Sequence, residues 1–159
     1  MEREERKTLS YLSFTLAGEL FVIHVGYVVK ILEMTTFTRI PQGPPYMLGV
    51  INLTGSVLPV IDTYKKFGLS KKENEKTVII VLEINQNNKR TMVGITADMA
   101  NEVFETDASQ IKEYPAVGSK YNSEFIEGVI QRGDKFFLIL NAEKLFGEGE
   151  LFEIEKQTK

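Results

Sequence analysis

Two 20-residue segments of this chain share their ends and their pattern. GVINLTGSVLPVIDTYKKFG runs from Gly49 to Gly68 and GVIQRGDKFFLILNAEKLFG from Gly128 to Gly147, an offset of 79 residues; both open on Gly-Val-Ile and close on Phe-Gly. Upstream, FVIHVGYVVKILE (21–33) lies over VGITADMANEVFE (93–105) at an offset of 72, with Ile23 over Ile95, Ile31 over Val103 and Glu33 over Glu105. Between these, Arg39-Ile40-Pro41 lies over Glu113-Tyr114-Pro115 at an offset of 74. Three matches in one order, with slowly growing offsets, predict a duplicated unit of about 70–80 residues. A unit that small has a marginal core alone. The two copies are therefore expected to pack together, leaving a groove between them.

The apolar pattern within each copy is mostly of period two. In YLSFTL, Leu12, Phe14 and Leu16 fall on one face and Tyr11, Ser13 and Thr15 on the other, as in a half-buried strand. Ala17-Gly18-Glu19 then signals a turn, and LFVIHV returns as the second strand of a hairpin. Val25, Val28, Val29 and Leu32 fall at helical spacing and predict a short helix after Gly26. Pro41, Pro44 and Pro45 force a loop. TVIIVLEI (77–84) is apolar at nearly every position, as in a strand covered on both faces, and RTMVGIT returns from a polar turn over 85–89. Asp107-Ala-Ser-Gln110 resembles a capping box that opens one helical turn. Short strands with turns between them close most naturally as a barrel or a strongly bent sheet. The class is mainly β with short helices.

At 159 residues the chain makes one compact unit or two interdependent subdomains. It has no cysteine, so no disulfide or thiolate metal site can form, and nothing points to an oxidising compartment. Nineteen basic against 22 acidic side chains give a net charge of −3, which argues against the basic face of a duplex nucleic-acid binder. MEREERK at the start carries no apolar run and does not read as a secretory signal. The longest aliphatic or aromatic runs, VIIVL (78–82) and FFLIL (136–140), are far short of the roughly 20 residues that span a bilayer. A soluble, cytoplasmic protein with no direct membrane insertion is expected. Residues 1–9 and 148–159 read as charged tails around a folded region at 10–147, whose halves are roughly 10–75 and 76–147.

No catalytic set stands out. Asp62 follows a strand and precedes YKKF, where a carboxylate caps a helix start. Its repeat column holds Asn141, an equally good cap and a poor general acid. His24 is the one histidine, on a strand among aliphatics, with no orienting partner near it in sequence. One histidine, no cysteine and no Asp-rich loop leave no metal constellation. Gly118-Ser119-Lys120 lacks the earlier glycine of a phosphate loop, and Gly147-Glu-Gly149 lacks a third glycine. Asn52-Leu53-Thr54 matches a glycosylation sequon, which means little without a signal peptide. No cofactor is implied and no enzymatic activity is expected. Pro59, inside SVLPVI, cannot donate to a ladder, so that strand is expected to be an edge or to carry a bulge there. An edge beside Val57 and Leu58 is a natural docking surface, although a kinked barrel strand explains the proline equally.

Together these residues resemble the CheW family of bacterial chemotaxis coupling proteins. GVINLTGSVLPVID is similar to the family pattern Gly-x-x-Asn-Leu-Arg-Gly-x-Val-x-Pro-Val-x-Asp. YLSFTLAGELFVIHV resembles the family's first hairpin, TRIPQGPPYMLG its proline loop, VGITADMANEV its second-half strand and helix, and FIEGVIQRGDKFFLILNAEKLF its closing hairpin and helix. The resemblance covers about residues 10 to 147. It implies two small five-stranded, SH3-like β-barrels around a shared core. It also implies a non-enzymatic adaptor that joins the cytoplasmic hairpin tip of chemoreceptors to the regulatory domain of a histidine kinase. By the same resemblance Val28, Lys30, Ile31 and Thr54 face the receptor tip, and Val57 is the candidate for the kinase side. The helical spacing of Val28 and Ile31 equally suits core packing. Two columns depart from the family: Thr54 stands where its turn usually has arginine, and Lys30 where Val-x-Glu-Ile has glutamate. If that pair is normally joined, losing both is easier than losing one. The alternative is a CheW-like module that docks the kinase with altered or lost receptor recognition.

Overall fold

A computed structural model describes residues 8–41, 43–71, 76–86, 88–115 and 123–146. Outside these lie most of the N-terminal tail, the whole acidic tail, Gly118-Ser119-Lys120, Gly147 and Gly149. The first half contributes β1 (Thr8–Leu16), β2 (Glu19–His24), β3 (Val28–Glu33), β4 (Met47–Leu53), β5 (Ser56–Ile61) and a helix α1 (Thr63–Phe67). The second contributes β6 (Val78–Gln86), β7 (Lys89–Ala97), β8 (Met99–Asp107), β9 (Ile111–Lys112), β10 (Ile126–Arg132) and β11 (Lys135–Leu140). The protein is mainly β, with two curled sheets. One runs β8-β1-β2-β11-β10-β9 and the other β3-β6-β7-β5-β4.

The duplication is visible in atomic detail. β10 and β11 are β4 and β5 displaced by 79 residues at both ends. Each first strand carries a register shift at its glycine, Gly49 or Gly128. A Cβ on Gly49 would overlap the Thr38 carbonyl oxygen, and one on Gly128 would lie 2.8 Å from the Lys112 carbonyl oxygen. Asp62 N–H donates to the Tyr46 carbonyl at 2.7 Å, and Asn141 N–H to that of Phe125 at 2.8 Å. The cap reading of Asp62 holds in both copies. Its carboxylate accepts from Lys65 N–H at 3.3 Å, and the Asn141 amide oxygen accepts from Lys144 N–H at 3.2 Å.

The copies exchange their hairpins. β1–β2 of the first half sits among the later strands of the second, while β6–β7 of the second joins β3, β4 and β5 of the first. The largest core cluster lies where the hairpins meet. It brings Leu12, Phe14, Phe21 and Ile23 against Ile80, Leu82, Val93 and Ile95. Each sheet has its own smaller core besides: Tyr11, Val22, Phe104, Ile130, Phe137 and Ile139 in one, Ile51, Leu58, Val60, Ile79 and Val81 in the other.

Several expectations need correction. Val28–Glu33 is a strand, preceded by a single 3₁₀ turn at Val25–Tyr27. Three β-branched residues in four positions favour extended backbone, and β3 closes an edge of β6 that a helix would leave unpaired. For the same reason MANEV is part of strand β8, paired to β1. The expected closing helix is a turn over residues 142–144. β1 is covered on both faces, because the Tyr11 face fills the smaller core. One sheet has six strands rather than five. The sixth, β9, is two residues long and pairs Lys112 with Val129. The matching contact in the first half is the single bridge between Thr38 and Val50.

Candidate functional site

The five residues singled out for partner binding all lie on one sheet. Val28, Lys30 and Ile31 are on β3, at its edge; Thr54 is at the tip of the β4–β5 hairpin, and Val57 is on β5. β3 and that hairpin stand at opposite ends of the strand order, but the sheet curls. Thr38, just after β3, exchanges two backbone hydrogen bonds of 2.8 Å with Val50 on β4. Leu32 of β3 and Leu53 of β4 consequently pack on the same small core. Val28 is half-buried and packs against the shared core, whereas Ile31 is 43% exposed and Lys30 is exposed. The even choice between core and surface thus divides, with Val28 leaning inward and Ile31 outward. Neither Lys30 nor Thr54 makes a side-chain hydrogen bond or ion pair among the described residues.

The hairpin tip is a two-residue loop. Leu53 pairs with Ser56, and Thr54 and Gly55 both have positive φ, 50° and 85°. This is the loop whose twist matches paired strands, and it favours Asn-Gly or Gly-Gly. The Asn52 amide oxygen accepts from Gly55 N–H at 3.1 Å and fixes the turn. Thr54 is a β-branched residue held in the left-handed region, an uncommon and costly placement. Its repeat column holds Gly133, φ 63°.

Pro59 makes neither a free edge nor a bulge, and its effect is a shortened ladder. β5 is interior in strand order, yet its parallel ladder with β7 includes only Val60 and Ile61. In the other copy the equivalent ladder starts one residue earlier, at Leu138, the column of Pro59. The proline thus removes one position of pairing, since Ser56–Leu58 and their duplicates Lys135–Phe137 are alike outside the parallel ladder, and Val57 is 55% exposed there.

The repeat also identifies surface residues that pattern reading left out. Phe136 occupies the column of Val57 and is 57% exposed; Val103 occupies that of Ile31 and is 61% exposed. The offsets of 79 and 72 were the signal for both. Val29, Met92 and Met99 are exposed as well, without such a partner column to mark them.

A second cluster, also missed, surrounds His24. The residue ends β2 and caps the 3₁₀ turn, with Nδ1 accepting from Gly26 N–H at 3.0 Å. Tyr11 and Tyr27 meet its ring edge-to-face at centroid distances of 5.6 and 6.4 Å. Tyr27 donates its hydroxyl to Glu143 at 3.1 Å. Burial, that hydrogen bond and the nearby carboxylates push the Tyr27 phenol up to about 12. Burial and then repulsion from Glu143 raise the Glu127 carboxyl above its ordinary value, opposed by His24 and Lys144. These residues are scattered from position 11 to 144, so no local motif betrays them. Among the described residues no three His, Asp or Glu side chains are placed to hold a metal ion, and no helix is long and apolar enough to cross a membrane.

Comparison with known proteins agrees with this architecture. Residues 10–150 match the model of the CheW-like domain. The chain is 32% identical over 152 residues to the chemotaxis protein CheW of Klebsiella aerogenes, covering 94% of this chain and 88% of that one. It is 29% identical over 140 residues to a probable chemotaxis protein CheW of Rhizobium etli, covering 87% and 88%. In three dimensions it is similar to the crystal structure of the scaffolding protein TtCheW from Thermoanaerobacter tengcongensis. The TM-score there is 0.80 at 29% identity, over 94% of this chain and 95% of that one. With a duplicated, hairpin-exchanged β fold matched by the family model over most of its length, the chain belongs to the CheW family.

Proposed function

We propose that this protein is a non-enzymatic adaptor of cytoplasmic chemotaxis signalling, joining the hairpin tip of chemoreceptors to the regulatory domain of a histidine kinase. The observation that carries the reading is the pairing of exposed apolar residues across the repeat. Ile31 with Val103, and Val57 with Phe136, are each open to solvent in both copies. A fold with no use for such surface would bury it or make it polar, and repeated apolar exposure is the mark of an interaction face. Val28, Lys30, Ile31 and Thr54 form the receptor side. Val57, on the part of β5 outside its parallel ladder, forms the kinase side, where aliphatic burial gives affinity without charged partners.

Calorimetric titration against a kinase regulatory domain, and separately against a receptor hairpin tip, tests both halves of the proposal. Wild type binds both. Val57→Asp abolishes kinase binding and spares the receptor tip, while Ile31→Asp does the reverse. Binding to neither by the wild type, with partners from the same source, overturns the adaptor reading. A second reading follows from the unpaired Lys30 and Thr54: a module that docks the kinase but has altered receptor recognition. Kinase binding without receptor binding, restored by Lys30→Glu with Thr54→Arg, selects it.

A further inference from the structure

The cleft at His24 has features that the adaptor function does not use. Its volume is about 380 Å³, and it is lined by Tyr11, His24, Gly26, Tyr27 and Glu127. Tyr11 is 3% exposed, yet its hydroxyl has no hydrogen-bond partner among the described residues. A buried hydroxyl left unsatisfied costs on the order of 1–3 kcal/mol, so its persistence calls for an explanation. The hydroxyl end of the ring lies at the cleft, within electrostatic range of Glu127. Nδ1 of His24 accepts from Gly26 N–H, and Nε2 likewise has no partner among the described residues.

The second observation is the asymmetry of the duplicate. At the offsets of 68, 72 and 79 residues that align the strand pairings, the columns of Tyr11, His24, Tyr27, Glu127 and Glu143 hold Ile79, Thr96, Met99, Leu48 and Tyr64. The same fold is thus built in the other copy without either carboxylate. The cluster belongs to this cleft and not to the architecture.

We propose that this cleft binds a guanidinium group, with the Glu127 carboxylate and the Tyr11 hydroxyl as its acceptors. Glu127 and Glu143 supply two carboxylates, opposed by His24 and Lys144, and with the unpartnered Tyr11 hydroxyl they give the cleft a set of acceptors suited to a cation that donates hydrogen bonds. Each like-charged neighbour raises the cost of keeping Glu127 ionised, and an incoming cation removes it. A guanidinium suits the site better than an ammonium. Its five N–H donors can serve a carboxylate and a hydroxyl together, and its plane can pack on the half-buried Tyr27 ring. The ligand is either a free arginine-type small molecule or an arginine side chain presented by a protein. The chemistry at the cleft is the same.

The test does not depend on the chemotaxis reading. His24 is the one histidine, so its ring C–H resonances report on this cleft without ambiguity. The full-length protein is titrated with N-acetyl-arginine amide and, separately, with tetramethylammonium, which has charge but no N–H donor. Saturable movement of the His24 resonances is expected with the arginine amide at a Kd in the range of about 1 mM, the scale of a single head group, and not with tetramethylammonium. Glu127→Gln weakens binding by about tenfold or more, the loss of a charge-assisted partner, and Tyr11→Phe weakens it less. Glu105→Gln, an exposed acid on β8, leaves it unchanged. A glycine-flanked arginine peptide that binds tighter than the amide assigns the cleft to a protein side chain; equal affinity assigns it to a small molecule. Absence of saturation in the folded wild type, unaltered affinity in Glu127→Gln, or equal response to tetramethylammonium overturns the proposal.

Discussion

Replacing Thr54 by asparagine should make this protein more stable, although Thr54 touches nothing that the change improves. Backbone conformation is the cause. Thr54 sits at φ 50° in a two-residue hairpin loop, is exposed, and has no side-chain partner among the described residues. Placing an ordinary L-residue in the left-handed region costs roughly 1–2 kcal/mol, and β-branching puts threonine at the upper end. Asparagine tolerates that region and forms Asn-Gly, the favoured pair for this loop. A gain of about 1 kcal/mol is therefore expected, or about 2–4 °C in Tm for a domain of this size. Thr54→Gly relieves the same strain but adds freedom to the unfolded chain, so it should gain less than asparagine. The reverse change in the duplicate, Gly133→Thr, should cost about as much as Thr54→Asn gains. Urea unfolding measures all three, with the midpoint expected to move at constant slope. A Thr54→Asn midpoint at or below wild type would refute the strain argument. If strain at this tip serves recognition, Thr54→Asn will also weaken receptor-tip binding while leaving kinase binding alone.

Gly128→Ala should cost several kcal/mol, since its Cβ would meet the Lys112 carbonyl oxygen at 2.8 Å and backbone cannot step aside as a side chain can; circular dichroism melts check this. Residues 1–75 and 76–159 expressed separately should each fail to fold, because each sheet takes a hairpin from the other half. Mixed together they should regain the two-dimensional amide spectrum of the intact chain, and an isolated half with dispersed resonances would contradict the exchange. Tyr27 is raised from 10.0 to about 12, so its contribution to stability is complete below pH 10 and lost as pH rises toward 12. Phenolate absorbance at high pH should show a late component among the six tyrosines, to which Tyr11, raised by burial and Glu127, also contributes, and Glu143→Gln should bring the Tyr27 part earlier. Glu127 is raised from 4.5, so the folded state favours its protonated form and loses that advantage as pH rises through the folded value. Glu127→Gln should then be slightly more stable than wild type at pH 7 and no different at pH 3, as read by thermal melts.

The duplication was legible because its matches are contiguous: β4–β5 and β10–β11 carry the same pattern at one offset, including the capping column of Asp62 and Asn141. Pro59 was legible for a local reason, a missing donor. What misled was Val25–Leu32, where four valine and leucine positions at helical spacing coincide with a strand that has one face half-buried and a register shift after Val28. Whether such a segment is helix or strand is decided by β6, some fifty residues away, which offers it an unpaired edge. The exchange of hairpins was out of reach for the same reason. Strand pairing between β1 and β8 leaves no mark on either sequence alone. The His24 cleft is lined from three separate stretches of chain, with Glu143 and Lys144 from a fourth, and only its geometry could bring Tyr11 to Glu127.

The exchanged hairpins bear directly on how an adaptor of this kind can act. Two barrels joined by a linker would turn freely, and a partner on one would say little to a partner on the other. Here the main core is made where β1–β2 meets β6–β7, and Phe14, Phe21, Ile80, Leu82 and Ile95 in it are fully buried. Each of those hairpins is also hydrogen-bonded into the sheet that carries the other half's surface residues. Turning one barrel against the other would tear both the core and the ladders, so the faces at Ile31 and Val103, and at Val57 and Phe136, hold a fixed relation. The duplicate faces differ in chemistry: Val57 follows a Thr54-Gly55 tip, Phe136 a Gly133-Asp134 tip. Duplication supplies the same surface columns twice, and divergence at the tips gives the two copies different chemistry at a set angle. Phe14→Ala at the shared core should therefore loosen that angle as well as cost about 3–5 kcal/mol. Both proposed partner sides lie on the sheet that holds β3 and β5. In a ternary mixture, receptor-tip and kinase binding should thus fall together with the folded fraction, and loss of one without the other would contradict a shared rigid face.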